Sequence, residues 1–175
     1  MSSQTLVAMI VAAVLLFWAV GAYNRLVSLR SELLRCFVPV DEQFRARHAL
    51  LLRWADASDH ATSGTDGDAD AAALDALRAA CTQAEAACSH ARSRPADADA
   101  LTSLRLAEEI LAQSRARLPV TGDEALASAL NDGDTTLAFA RRQFNDAADN
   151  YNRAVSQFPT WLVAGLFGFR KAGTL

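Results

Sequence analysis

Between Thr5 and Tyr23 the chain reads TLVAMIVAAVLLFWAVGAY, and no charge interrupts it before Arg25. Nineteen residues at 1.5 Å each make a helix of about 28 Å, close to the hydrocarbon thickness of a bilayer. Trp18 and Tyr23 stand toward its C-terminal end, where aromatic rings favour the headgroup layer. A cleaved secretory signal competes with this reading, because Gly21 and Ala22 are small. Such a signal opens on a basic segment, MSSQ has none, and the apolar run exceeds the usual signal core. The expected organisation is a short tail (1–4), an uncleaved transmembrane helix (5–23), a helical body (24–158) and an apolar C-terminal tail (159–175).

The flanks orient the span. No Lys or Arg precedes it, whereas Arg25, Arg30 and Arg35 follow. The positive-inside rule then puts the N-terminus outside and the body in the cytoplasm. Three cysteines, Cys36, Cys81 and Cys88, are an odd number that a reducing compartment tolerates. A formal charge of −3 removes the basic footprint of a nucleic-acid binder. Eight glycines and four prolines in 175 residues, against abundant Ala and Leu, favour helix over a sandwich or barrel.

Four helical stretches follow the span, each with a coiled-coil-like seam of alternating three- and four-residue steps. The first continues from the membrane, Asn24 to about Asp56, with Leu26, Leu29, Leu33, Cys36 and Val40 in phase. Pro39 removes one helical hydrogen bond and predicts a kink, while Phe44, Leu51 and Trp54 resume the pattern. Residues 57–68, rich in Ser, Gly and Asp, predict a surface loop. Asp66, Asp68 and Asp70 imitate the start of an EF-hand, but Ala71 and Leu77 occupy its obligatory Gly and Glu positions. These acids suit a helix N-terminus instead.

The second helix, about Ala69 to Ser93, places Leu74, Leu77, Cys81, Ala84, Cys88 and Ala91 on its seam, so both cysteines read as small core residues. The third, about Asp97 to Arg117, carries Leu101, Leu104, Ala107, Leu111 and then Leu118. The fourth opens on a Thr121–Glu124 capping box and runs to about Gln157. Its seam of Leu126, Leu130, Gly133, Leu137, Ala140, Phe144, Ala147, Tyr151, Ala154 and Phe158 holds phase on both sides of Asn131-Asp-Gly133, which predicts one helix across that glycine. Short connections at 94–96 and 119–121 make the expected fold all-α: a transmembrane helix continuing into an antiparallel four-helix bundle with long first and fourth helices.

After Phe158-Pro159 the chain reads TWLVAGLFGFRK. Burying a Leu or Phe side chain is worth about 1.5–3 kcal/mol, so Trp161, Leu162, Val163, Leu166, Phe167 and Phe169 are expected to pack on the bundle, on a partner or on lipid. Bundle topology returns this strip toward the bilayer, and Arg170 and Lys171 suit anionic headgroups. Trp161, Leu162, Leu166, Phe167, Phe169 and Arg170 are the candidate interface. On the far face of the fourth helix Asn145, Asp149, Asn152 and Ser156 recur in phase. They read as a solvated face, or, for Asn145 and Asn152 beside Phe144 and Tyr151, as structural hydrogen-bonding groups that fix register.

Several motifs resemble the LemA family. They are Tyr23-Asn24 with the following RLVSLRSELLR, the ARxxFND pattern of Ala140 to Asp146, Tyr151-Asn-Arg153, and the FPxWLVAGLFGF tail. The family's basic-aromatic-DLIPNLV element is replaced by Arg47-His48-Ala-Leu-Leu-Leu-Arg-Trp54, with Pro39 just before it. The resemblance implies a bacterial, membrane-anchored helical bundle of undefined biochemical role. One branch, the MamQ-like magnetosome proteins, is associated with shaping an intracellular membrane.

Catalytic chemistry finds no foothold. A di-iron bundle needs Glu-x-x-His pairs, and none of His48, His60 and His90 has a Glu three residues before it. There is no glycine-rich phosphate loop, no nucleophile elbow and no zinc spacing. The expectation is a non-enzyme without metal or cofactor. Its partners would be the lipid bilayer and a second copy or a membrane protein, with no nucleic acid.

Overall fold

The computed structural model describes residues 3–62, 67–118 and 124–175. Within them all regular secondary structure is helical: α1 (Ser3–Thr62), α2 (Gly67–Ser93), α3 (Ala98–Ala116), α4 (Glu124–Ser156) and α5 (Thr160–Leu166). At 1.5 Å per residue α1 is about 90 Å long, and it runs without interruption through Pro39. Buried Leu33, Phe37, Val40 and Phe44 hold both sides of the proline against the core. The N-terminal part of α1 is long and apolar enough to cross a membrane, with a mean hydropathy of 2.5 and only 6% of that stretch buried. Its Leu15, Leu16 and Phe17 side chains point away from the rest of the molecule.

The loop expected over 57–68 is corrected at both ends. Residues 57–62 prolong α1, and α2 begins at Gly67. Helix extension adds a hydrogen bond for each residue fixed, and no Pro or Gly stops the chain before Gly64. Asp66 and most of the Thr121–Glu124 capping box lie outside the described residues. Gly133 stays within an unbroken α4, as its seam predicts.

The seams form two adjoining cores. Leu26, Leu33, Val40, Phe44, Cys88, Leu101, Leu104, Leu137, Phe144 and Tyr151 make one, toward the apolar end of α1. Leu51, Trp54, Leu74, Leu77, Cys81, Leu111, Leu118 and Leu130 make the other. Phe37, off the predicted seam, meets Phe144 edge-on at 5.7 Å. Phe158 departs from expectation and is exposed, because α4 ends at Ser156 and the helical phase that would turn it inward ends there.

Cross-links set the helix directions. Asp41 and Asp56 of α1 meet Arg92 and Arg78 of α2, respectively, and Phe37 and Arg47 meet Phe144 and Asp134 of α4. α1 therefore runs opposite to both neighbours. Asp97 caps α3, its carboxylate accepting from the amides of Asp99 and Ala100.

Helices α3 and α4 keep their backbones apart, with no Cα pair within 8 Å among the described residues. Part of this gap is filled by the end of the chain. Gly173 sits so close to α3 that a Cβ there would lie 2.8 Å from the Ala98 Cα. Overpacking of this kind costs about 1–3 kcal/mol. Gly173→Ala is therefore expected to lower the thermal midpoint by about 2–12 °C, whereas Gly165→Ala, which meets nothing within 4 Å, should not lower it in the same scan.

Candidate functional site

Asn145 and Asn152 stand one heptad apart on α4, about 10.5 Å along the axis. Each amide group grips one residue of the C-terminal tail by both of that residue's backbone groups. The Asn152 side chain donates to the Ala172 carbonyl at 2.9 Å and accepts from the Ala172 amide at 2.7 Å. Asn145 does the same to Leu175, at 2.7 and 2.8 Å. Three residues of extended chain also cover about 10 Å, so the helical heptad and the tail spacing match. The tail runs back along α4 and fills the gap beside α3.

The segment between α4 and this clasp is α5, with Thr160, Val163 and Ala164 buried at i, i+3 and i+4. Its opposite face carries Trp161, Leu162 and Leu166, all exposed, and Leu166 is 80% exposed. Gly168, with φ +71°, ends the helix. The Phe169 amide reaches back to the Ala164 carbonyl, the six-to-one bond of a Schellman turn. That reversal brings two rings onto Tyr23, Phe167 at 4.8 Å and Phe169 at 5.8 Å between centroids. Helix α5 therefore lies beside the end of the apolar stretch of α1. Of the candidate interface residues, Trp161, Leu162, Leu166, Phe167 and Arg170 are exposed, while Phe169 is half-buried against the core. Asp149 is exposed and takes no part in the clasp.

A second cluster ties α3 to α1 and α4 farther from the span. Glu108 of α3, only 5% exposed, accepts from Arg47 and lies 2.6 Å from His48 Nε2. Arg47 Nε approaches Asp134 Oδ1 at 2.7 Å as an ion pair without an aligned hydrogen bond. Arg115 reaches the same carboxylate at 3.0 Å. Arg141 sits 4.9 Å above the Phe44 ring and 4.0 Å from Glu108. Burial pulls the Arg141 pKa down from its ordinary value, against the neighbouring Glu108 charge. With every cation facing a carboxylate or a ring, the cluster works as a latch across the α3–α4 gap.

The sequence profile of the LemA family, described as "LemA family", matches residues 71–175, more than half of the chain. This chain belongs to the LemA family. No curated protein and no solved structure gives a significant match. Most of the motifs that carry the family resemblance meet at the tail: Asn145 and Asn152 clasp it, and Tyr23 packs on its Phe167 and Phe169. Around Glu108, Arg141 comes from the ARxxFND motif, while Arg47 and His48 come from the element that departs from the family pattern.

The inward position of Glu108 carries a signal in the sequence. It follows seam residue Ala107 and falls four residues after Leu104, so a helix turns it toward the core. Arg47 and His48 fill the same slots after Phe44. Among the described residues of this LemA protein, no group of three or more His, Cys, Asp or Glu side chains is placed to share a metal ion. The cysteines behave as core residues. Burial, reinforced by Glu108, pushes the Cys81 thiol up to about 11, and burial with the Asp41 hydrogen bond pushes Cys88 up to about 12. Cys88 Sγ donates to Asp41 Oδ1 at 3.2 Å. Peptide mapping after iodoacetamide treatment at pH 8 is expected to find Cys36, which is only half-buried, modified first. Cys81 and Cys88 should react roughly tenfold or more slowly until the chain is unfolded.

Proposed function

We propose that this LemA protein is a non-catalytic scaffold, anchored in a bacterial cytoplasmic membrane by residues 5–23. Its N-terminus lies outside, and α1–α4 form an antiparallel four-helix bundle in the cytoplasm. The bundle presents the apolar face of α5 to the bilayer and contacts further copies of the chain. The observation that carries the reading is the uncovered face of Trp161, Leu162 and Leu166, held beside the end of the apolar stretch through Tyr23. An exposed apolar strip in water is unfavourable at about 25 cal/mol per Å², and continuity with the span makes lipid the nearest cover. Arg25, Arg30 and Arg35 support the orientation.

In-cell crosslinking followed by mass spectrometry tests the scaffold role. Crosslinks chiefly between copies of this chain, with a detergent-solubilised mass above the monomer, are expected. One abundant foreign protein crosslinked through α5 would instead make the chain an adaptor for that partner. A strictly monomeric mass would count against self-association.

A further inference from the structure

Two cavities adjoin at the turn that follows α5, and their chemistry changes from apolar to cationic along α1. The first, of about 420 Å³, is lined by Tyr23, Val27, Leu34, Phe167 and Phe169. The second, of about 610 Å³, takes in Arg30, Arg94, Arg170 and Lys171 and shares Arg30, Leu34, Gly168 and Phe169 with the first. Tyr23, Val27, Arg30 and Leu34 are spaced by four, three and four residues and so form one stripe of α1. The apolar cavity opens at the level where the apolar stretch ends, and Arg30 lies about 10 Å farther along the helix. Among the described residues Arg30, Arg94, Arg170 and Lys171 form no ion pair, and all four are exposed. Two carboxylates, Asp97 and Asp99, line the same cavity, and Asp97 is engaged in capping α3.

We infer that the paired cavities bind one anionic phospholipid, its phosphate and headgroup among Arg30, Arg94, Arg170 and Lys171 and its glycerol end and first acyl carbons against Tyr23, Val27 and Phe167. The inference rests on the reading of residues 5–23 as a membrane span. Four cations against two carboxylates favour a net negative headgroup over a zwitterionic one. The headgroup layer is only about 5–7 Å deep, and arginine side chains bridge the remaining depth by reaching back toward the interface. The clasp sets the site, because Arg170 and Lys171 stand between Gly168 and the Asn152-held Ala172.

The test uses the full chain in nanodiscs of phosphatidylcholine doped with either phosphatidylglycerol or phosphatidylethanolamine, with retained lipid counted by native mass spectrometry. One phosphatidylglycerol per chain, preferred over both other lipids, is expected. Arg30→Gln is expected to weaken the preference about fivefold, as is Arg94→Gln on the remote α2–α3 turn. Both should keep the wild-type circular dichroism. Retention that ignores headgroup charge, or a preference unchanged in both variants, overturns the site. Displacement of the lipid by added inorganic phosphate, with the same sensitivity to the two variants, would make it a free-phosphate site and also overturn it. Carbonate extraction of membranes separates the two layers of argument. A chain extracted by carbonate that still selects phosphatidylglycerol in micelles keeps the site and refutes the span. A carbonate-resistant chain without selectivity keeps the span and refutes the site.

Discussion

Glu108→Ala is expected to destabilise the protein by about 3–5 kcal/mol, the cost of leaving buried charges without their partner. Arg47 would keep only Asp134, and His48, itself 2% exposed, would lose a carboxylate that is 5% exposed. Arg141 would keep only the Phe44 ring and the distant Asp134 charge. The denaturant midpoint of the detergent-solubilised chain measures the loss. The double change Arg47→Met and Glu108→Leu should recover the part that falls on Arg47, because a buried ion pair replaced by apolar groups of similar volume is often neutral. A loss below about 1 kcal/mol for Glu108→Ala would mean that the cluster is solvated and latches nothing.

Asn145→Ala with Asn152→Ala is expected to release the tail. Each asparagine makes two hydrogen bonds to one tail residue, and a net value near 1 kcal/mol per bond puts each clasp at about 2 kcal/mol. Both clasps hold the same segment, so their losses will not add independently. Trypsin after Arg170 and Lys171 reads the result, since cleavage follows the population of the opened tail. One clasp lost should speed cleavage about thirtyfold. Asp149→Ala, on the exposed position between the two asparagines, should leave the rate within about twofold. Equal rates for wild type and the double variant would show that α5 packing alone holds the tail.

Much of this architecture is legible in residue spacing. The seam period fixed which faces of α2, α3 and α4 are buried, and it carried α4 across Gly133, where propensity alone would have broken it. The span is read from composition, since nothing else in the chain lacks charge for so long. The clasp is not legible in the same way. A half-buried asparagine looks like any polar residue on a solvated helix face. Its partner is a backbone group 20 or 30 residues away, which only the return of the tail along α4 brings near. Residues 57–62 stay helical, against their loop-like composition, for a local reason: Ser and Asp signal a loop only when something ends the helix. The ionic latch had a signal, charged residues in core-facing slots at 47, 48 and 108, but tertiary pairing alone makes such slots tolerable.

The central claim is that α5 lies at the membrane interface, with Trp161, Leu162 and Leu166 toward lipid. A spin label at Leu166 of the full chain in nanodiscs tests it most directly, through its relative accessibility to oxygen and to a water-soluble relaxer. A depth of about 5–10 Å below the headgroup surface is predicted, with the label mobile and oxygen-accessible. A label at Leu166 as open to the water-soluble relaxer as one at exposed Thr102, or one shielded from both reagents, would contradict the account.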